Sequence, residues 1–65
     1  MLTEKIGTNA GLIYAALENG ELNVKTVKKT TKLAEKELNL ALGWLARERK
    51  IKFNEVDGEL LVSLL

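Results

Sequence analysis

The chain has 65 residues, 46% hydrophobic and 29% charged, with a formal net charge of +1 and neither Cys nor His. A chain of this length buries only about 60% of the surface its unfolded form exposes, so an enzyme cleft of roughly 300–1,000 Å³ has little to wall it. The missing Cys and His remove disulfides, the usual zinc sites, thiol nucleophiles and imidazole bases together, and a cytoplasmic protein without metal or other cofactor is expected.

The apolar run Ala10 to Leu17 is far shorter than the ~20 residues of a membrane-spanning helix. Glu4 beside Lys5 makes a poor secretion signal, so no membrane partner is expected. There is no Pro, no repeat and no linker-like stretch, and residues 1–65 read as one domain. Charge is unevenly spread: residues 1–24 balance to −2, 25–52 to +6 and 53–65 to −3.

The first periodic segment runs from Thr3 to Asn19. Leu2, Ile6, Ala10, Ile13 and Leu17 recur at steps of three and four and lie on one helical stripe. Thr3 is the expected N-cap, and Asn19-Gly20 the stop. The opposite face carries Gly7, Gly11 and Ala15, small enough for another backbone to approach. After a short extended link at Glu21-Leu22, Asn23 is the expected cap of a helix over Val24 to Thr31, with Val24 and Val27 inward and lysines outward. Lys32-Leu33 makes the next turn, with Leu33 packing inward.

A third helix is expected from about Ala34 to Arg49, with Leu38, Ala41, Leu42 and Leu45 as its inner stripe. The period then changes to two. Ile51, Phe53 and Glu55 alternate with Lys52 and Asn54, and Asp57-Gly58 marks a two-residue hairpin turn. The return strand spans Glu59 to Leu64, with Leu60, Val62 and Leu64 on one face and Leu61 and Leu65 on the other. Helix, extended link, helix, turn, helix, hairpin is the order of an α+β winged helix-turn-helix, three helices plus a C-terminal β-hairpin wing, with a minimal third strand at Leu22.

The run Ala41-Leu42-Gly43-Trp44-Leu45-Ala46-Arg47-Glu48, followed by Lys50-Ile51, resembles a family of small bacterial and archaeal winged helix-turn-helix proteins known as a domain of unknown function. Ile6-Gly7, Ala10-Gly11 and Lys29-Thr30-Thr31-Lys32-Leu33 resemble the same family's first helix and helix-turn-helix bend, so the likeness covers nearly the whole chain. It implies the fold; it implies DNA binding by analogy with other winged helices, because fold alone does not fix function. Ala34 stands where such a turn usually carries a small hydroxylic cap, which removes the basis for a phosphate contact there.

Docked in the usual way, the third helix enters the major groove of double-stranded DNA. Its outward face holds Lys36, Leu40, Gly43 and Arg47, flanked by Asn39 and Trp44. Lys36 and Arg47 suit phosphate or guanine, Asn39 suits adenine and Leu40 a thymine methyl. Lys25, Lys28, Lys29 and Lys32 suit the phosphate backbone. The competing reading is a solvated lysine face. Against DNA stands the wing tip, where Glu55, Asp57 and Glu59 would repel phosphate. The alternative function is a protein-interaction or homodimer module using Gly7, Gly11, Leu40, Trp44, Leu61 and Leu65, since Trp is enriched at interface hot spots. Trp44 is nonetheless expected first to cover the hairpin or first helix and complete the core. No enzyme is expected: Glu35 and Glu37 point to different sides of a helix, Ser63 has no base to activate it, and Gly7 to Gly11 lacks a phosphate-loop lysine.

Overall fold

Apolar stripes of period near 3.6 and a strand pair of period two must bury their faces against one another. The computed structural model describes residues 2–65, and in it the chain runs α1 (Leu2–Leu17), β1 (Leu22–Asn23), α2 (Val24–Thr31), α3 (Glu35–Arg47), β2 (Ile51–Val56) and β3 (Glu59–Leu64). The strands form one antiparallel sheet in the order β1-β3-β2. The fold is therefore the α+β winged helix-turn-helix with the minimal third strand at Leu22.

On α1 the stripe packs as expected at Ala10, Ile13 and Leu17, which are buried, while Ile6 is half-buried. Leu2 departs from it and is 62% exposed. Lys5 already meets Glu37 in the first turn of α3, and Leu2 lies one turn further out. Thr3 is not the cap, because the helix already includes Leu2. The helix also stops at Leu17, two residues before Asn19. There Glu18 N–H donates to the Ala15 carbonyl (3.3 Å) and Gly20 N–H to that of Leu17 (3.0 Å), tightening the exit. Gly20 then takes φ 132°, a conformation open to glycine.

α2 follows the sequence reading residue for residue. Asn23 stays extended, and its Oδ1 accepts from Lys25 N–H at 2.7 Å and Thr26 N–H at 3.3 Å. Val27 is fully buried, and the Thr31 hydroxyl donates to its carbonyl at 2.8 Å. Lys32 turns the chain in the left-handed region (φ 59°), and Leu33 packs against the core. Ala34 has no side-chain group to cap α3; instead Glu37 Oε1 accepts from Ala34 N–H at 3.2 Å, half of a capping box.

Leu38, Ala41, Leu42 and Leu45 are all buried. The helix ends at Arg47 rather than Arg49. Lys50 N–H donates to the Leu45 carbonyl and Arg49 N–H to that of Ala46, with Arg49 at φ 57°. This is a Schellman ending with Arg in the place where Gly is usual.

The hairpin turn has positive φ at both Asp57 (51°) and Gly58 (78°), which matches the twist of the flanking strands. Register runs from Val56↔Glu59 to Ile51↔Leu64. β1 adds Leu22↔Val62 and Asn23↔Leu61 on the other side of β3. The very apolar return strand is thus central, with β2 along one side and β1 covering Leu61 and Val62 on the other, which limits the pairing hazard its composition would carry at a sheet edge. Trp44 does not complete the core: it is 48% exposed, because Leu38, Ala41, Leu42 and Leu45 already fill the inner stripe of α3. Leu60 likewise shares a face with the buried Val62 but is exposed.

Candidate nucleic-acid interface

The side chains singled out for nucleic acid sit on two consecutive helices and the bend between them. α2 carries Lys25, Lys28 and Lys29, the bend carries Lys32, and α3 carries Lys36, Asn39, Leu40 and Arg47. All eight are exposed. None of the six cations among them forms an ion pair among the described residues. α3 is about 20 Å long at 1.5 Å per residue, long enough to lie in a major groove. Gly43 sits between Asn39 and Arg47 on this face, and a Cβ there would meet nothing within 4 Å.

The bend is rigidly built. The Asn23 cap fixes the start of α2, the Lys32 N–H bond to the Lys28 carbonyl (2.9 Å) fixes its end, and Leu33 plugs the corner. The lysines are therefore presented from an ordered scaffold.

Lys25 stands apart from its neighbours. Because Asn23 pairs with Leu61, the start of α2 lies beside the wing, and a hollow of about 270 Å³ there is lined by Val24 and Lys25 from α2 and by Gly58, Glu59 and Leu60 from the wing. Lys25 shares this hollow with Glu59. Lys28, Lys29 and Lys32 lie further along, toward α3. The wing tip is exposed throughout, with Glu55, Asp57 and Glu59 around it.

The residues of the interaction alternative fall on three surfaces. Gly7 and Gly11 lie on the outer side of α1, where an added Cβ would meet nothing within 4 Å, so packing within the chain does not require them. Leu40 and Trp44, 38% and 48% exposed, are on α3. Leu61, half-buried, is on the face of the sheet away from the core, and Leu65 is 71% exposed at its end.

One polar residue escaped the sequence reading. Asn9 is buried on the inner side of α1, 8% exposed, beside a cavity of about 200 Å³ between the first halves of α1 and α3. Its signal was present: it is three residues after Ile6 and four before Ile13, where the stripe calls for an apolar side chain. The Lys5–Glu37 ion pair at 3.6 Å borders the same cavity; its partners are exposed enough that it contributes little to stability.

Among the described residues no cluster of His, Cys, Asp or Glu could hold a metal ion, and no helix is long and apolar enough to cross a membrane. Three helices, a bend built on a capped second helix, an exposed third helix and a hairpin wing define a winged helix-turn-helix protein, a class made up typically of binding modules rather than enzymes. The chain belongs to the family described as "Winged helix-turn-helix domain (DUF2582)", whose model matches residues 1–64. It is also 39% identical over 66 residues to the uncharacterized protein MJ1608 of Methanocaldococcus jannaschii, a match covering 92% of this chain and 90% of that one.

Proposed function

We propose that residues 1–65 act as one winged-helix domain that binds double-stranded DNA in the cytoplasm and regulates transcription. α3 enters the major groove and presents Lys36, Asn39, Leu40 and Arg47. Lys28, Lys29 and Lys32 hold the phosphate backbone, and Lys25, beside Glu59, contributes least. The observation that carries this reading is the set of exposed cations on α2, the bend and α3, none of them ion-paired among the described residues. The acidic tip points to a wing held off the phosphates, so that the helices supply the contacts.

An NMR titration of labelled protein with a mixed-sequence duplex tests this. At low salt, shifts confined to residues 25–47 are expected, fading as salt rises. Replacing Lys28 and Lys29 together by Ala should weaken binding to all sequences alike and reduce the salt slope by about 2. Absence of any shift at low salt overturns the reading.

The second reading is a homodimer or protein-partner module, favoured by the half-exposed Trp44 beside Leu40. It predicts that Trp44→Ala changes the mass in solution while leaving the fold intact. A Trp44→Ala protein with unchanged mass and undiminished partner binding argues against it.

A further inference from the structure

We propose that the wing tip and the start of α2 form one self-complementary surface on which a second copy of this chain docks, the acidic tip of each copy resting on the lysines of the other. This surface is separate from Leu40 and Trp44 on α3. The inference starts from charge that the fold leaves unpaired. From Phe53 to Leu65 the chain has three acids and no base, and all three, Glu55, Asp57 and Glu59, are exposed around the tip. Lys25, Lys28 and Lys29 recur at steps of three and four and form one exposed stripe along α2. The stripe begins at the wing, where Lys25 and Glu59 line one hollow. Neither the tip acids nor these lysines form an ion pair among the described residues.

Apolar side chains lie between the two charges. Val24 and Leu60 line the same hollow. Phe53 is diagonal to Leu60 on one face of the sheet, as the Phe53↔Val62 and Glu55↔Leu60 pairs require. Phe53 and Leu60 are exposed and stand outside the core. Acid at one end, base at the other and apolar surface between them is what an isologous interface needs, because a twofold axis through the middle brings each end onto its opposite. That rotation sets the tip of each copy against Lys28 and Lys29 of the other and puts the Leu60 and Phe53 side chains of both at the axis. A second copy already carries both charges in the required order. A net charge of +1 leaves little overall repulsion between copies. A transient dimer needs about 500 Å² from each copy, set against the 4709 Å² surface of the chain. A dissociation constant on the order of 100 μM at low salt is expected.

The consequence for nucleic acid rests on the DNA reading. That reading assigns Lys28 and Lys29 to phosphate, so a docked tip takes the place of phosphate, and duplex and second copy exclude each other.

Sedimentation equilibrium over a range of protein concentrations tests the surface, at about 10 mM salt and again at about 1 M, where the screening length falls from roughly 30 Å to roughly 3 Å. At low salt the mass should rise from 7.2 kDa toward twice that value, and at high salt it should stay near 7.2 kDa. A monomer at every concentration overturns the proposal. So does a dimer indifferent to salt, or a mass that grows past the dimer as a head-to-tail contact would give. Leu60→Ser should weaken the dimer about tenfold, while Trp44→Ala leaves it unchanged; the reverse pattern overturns the surface.

A charge exchange sharpens the test. Glu55→Lys with Glu59→Lys, and separately Lys28→Glu with Lys29→Glu, should each give a monomer at low salt, all four positions being exposed. An equal mixture of the two should regain the dimer mass, because each altered surface meets its opposite. A mixture of folded variants that stays monomeric overturns the proposal, and the salt series and Leu60→Ser remain decisive if a charge variant does not fold.

Duplex binding is read separately by NMR. Well below the dissociation constant, duplex should shift residues 25–47 alone. Well above it, duplex should also return the signals of residues 55–60 to their dilute positions; wing signals that keep their dimer positions with duplex bound overturn the competition. A protein that dimerises but binds no duplex defeats the DNA reading and the competition together while the surface stands.

Discussion

The hairpin behaves as two different structures along one pair of strands. At its base Ile51 and Val62 are 4% and 0% exposed; on the same face Phe53, directly across from Val62 on the edge strand, is 42% exposed, and Leu60, nearer the tip, 44%. Alternation and register are the same throughout. What changes is the cover: the helical core packs on Ile51, Val62 and Leu64 and does not extend to Phe53 or Leu60, while β1 lies beside β3 in the sheet. Charge changes with it, from Lys50 and Lys52 at the base to Glu55, Asp57 and Glu59 at the tip. Period-two alternation reports which side chains share a face, and burial depends on whether another layer covers that face.

Mutations at the two ends should therefore differ by more than their chemistry does. Ile51→Ala, at the base, should lose about 2–5 kcal/mol in a urea titration, through lost burial and the cavity left behind. Asn23→Ala should cost about 1 kcal/mol. Because Asn23 both caps α2 and pairs with Leu61, amide exchange should speed up in β1 and the first turn of α2 together; acceleration in α2 alone would separate the cap from the sheet. Arg49→Gly, in the turn leading into the base, should gain about 0.5–1 kcal/mol by relieving a left-handed conformation, seen as a raised denaturation midpoint. Leu60→Ala, at the tip, should stay within about 0.5 kcal/mol of the parent. A loss there as large as at Ile51 would mean that something covers the tip in solution.

Much of this architecture was legible because its signals are local. The Asn23 cap, the bounds of α2, the inner stripe of α3, the Asp57-Gly58 turn and the strand at Leu22 each follow from a few adjacent residues. The exposure of Lys28, Lys29, Lys36 and Arg47 followed from helical phase alone. Helix ends were less readable. The Schellman ending at Arg49 lacks the glycine that would announce it, and Thr3 resembles a cap although the helix includes Leu2. Burial at the margins was also hidden from local pattern. Trp44 stays exposed because smaller neighbours fill the core, Leu2 because it sits at the open rim of the hollow between α1 and α3, and Asn9 is buried against the expectation for its polarity. The placement of Lys25 and Glu59 around one hollow depends on β1 meeting β3, which no local window contains.

That meeting also sets an order of assembly. β2 and β3 are joined by a two-residue turn, so their pairing closes almost no loop, whereas the Leu22↔Val62 pair joins positions 40 residues apart in the chain. Loop-closure entropy favours the hairpin first and leaves β1 to dock after α2, the bend and α3 are in place. Its two residues hold one side of the sheet and, through Asn23, the start of the lysine-bearing helix. The least securely fastened element of the molecule is thus tied to the surface proposed to meet DNA. Partial opening that stops short of global unfolding should begin there, loosening α2 while the hairpin and α3 remain folded.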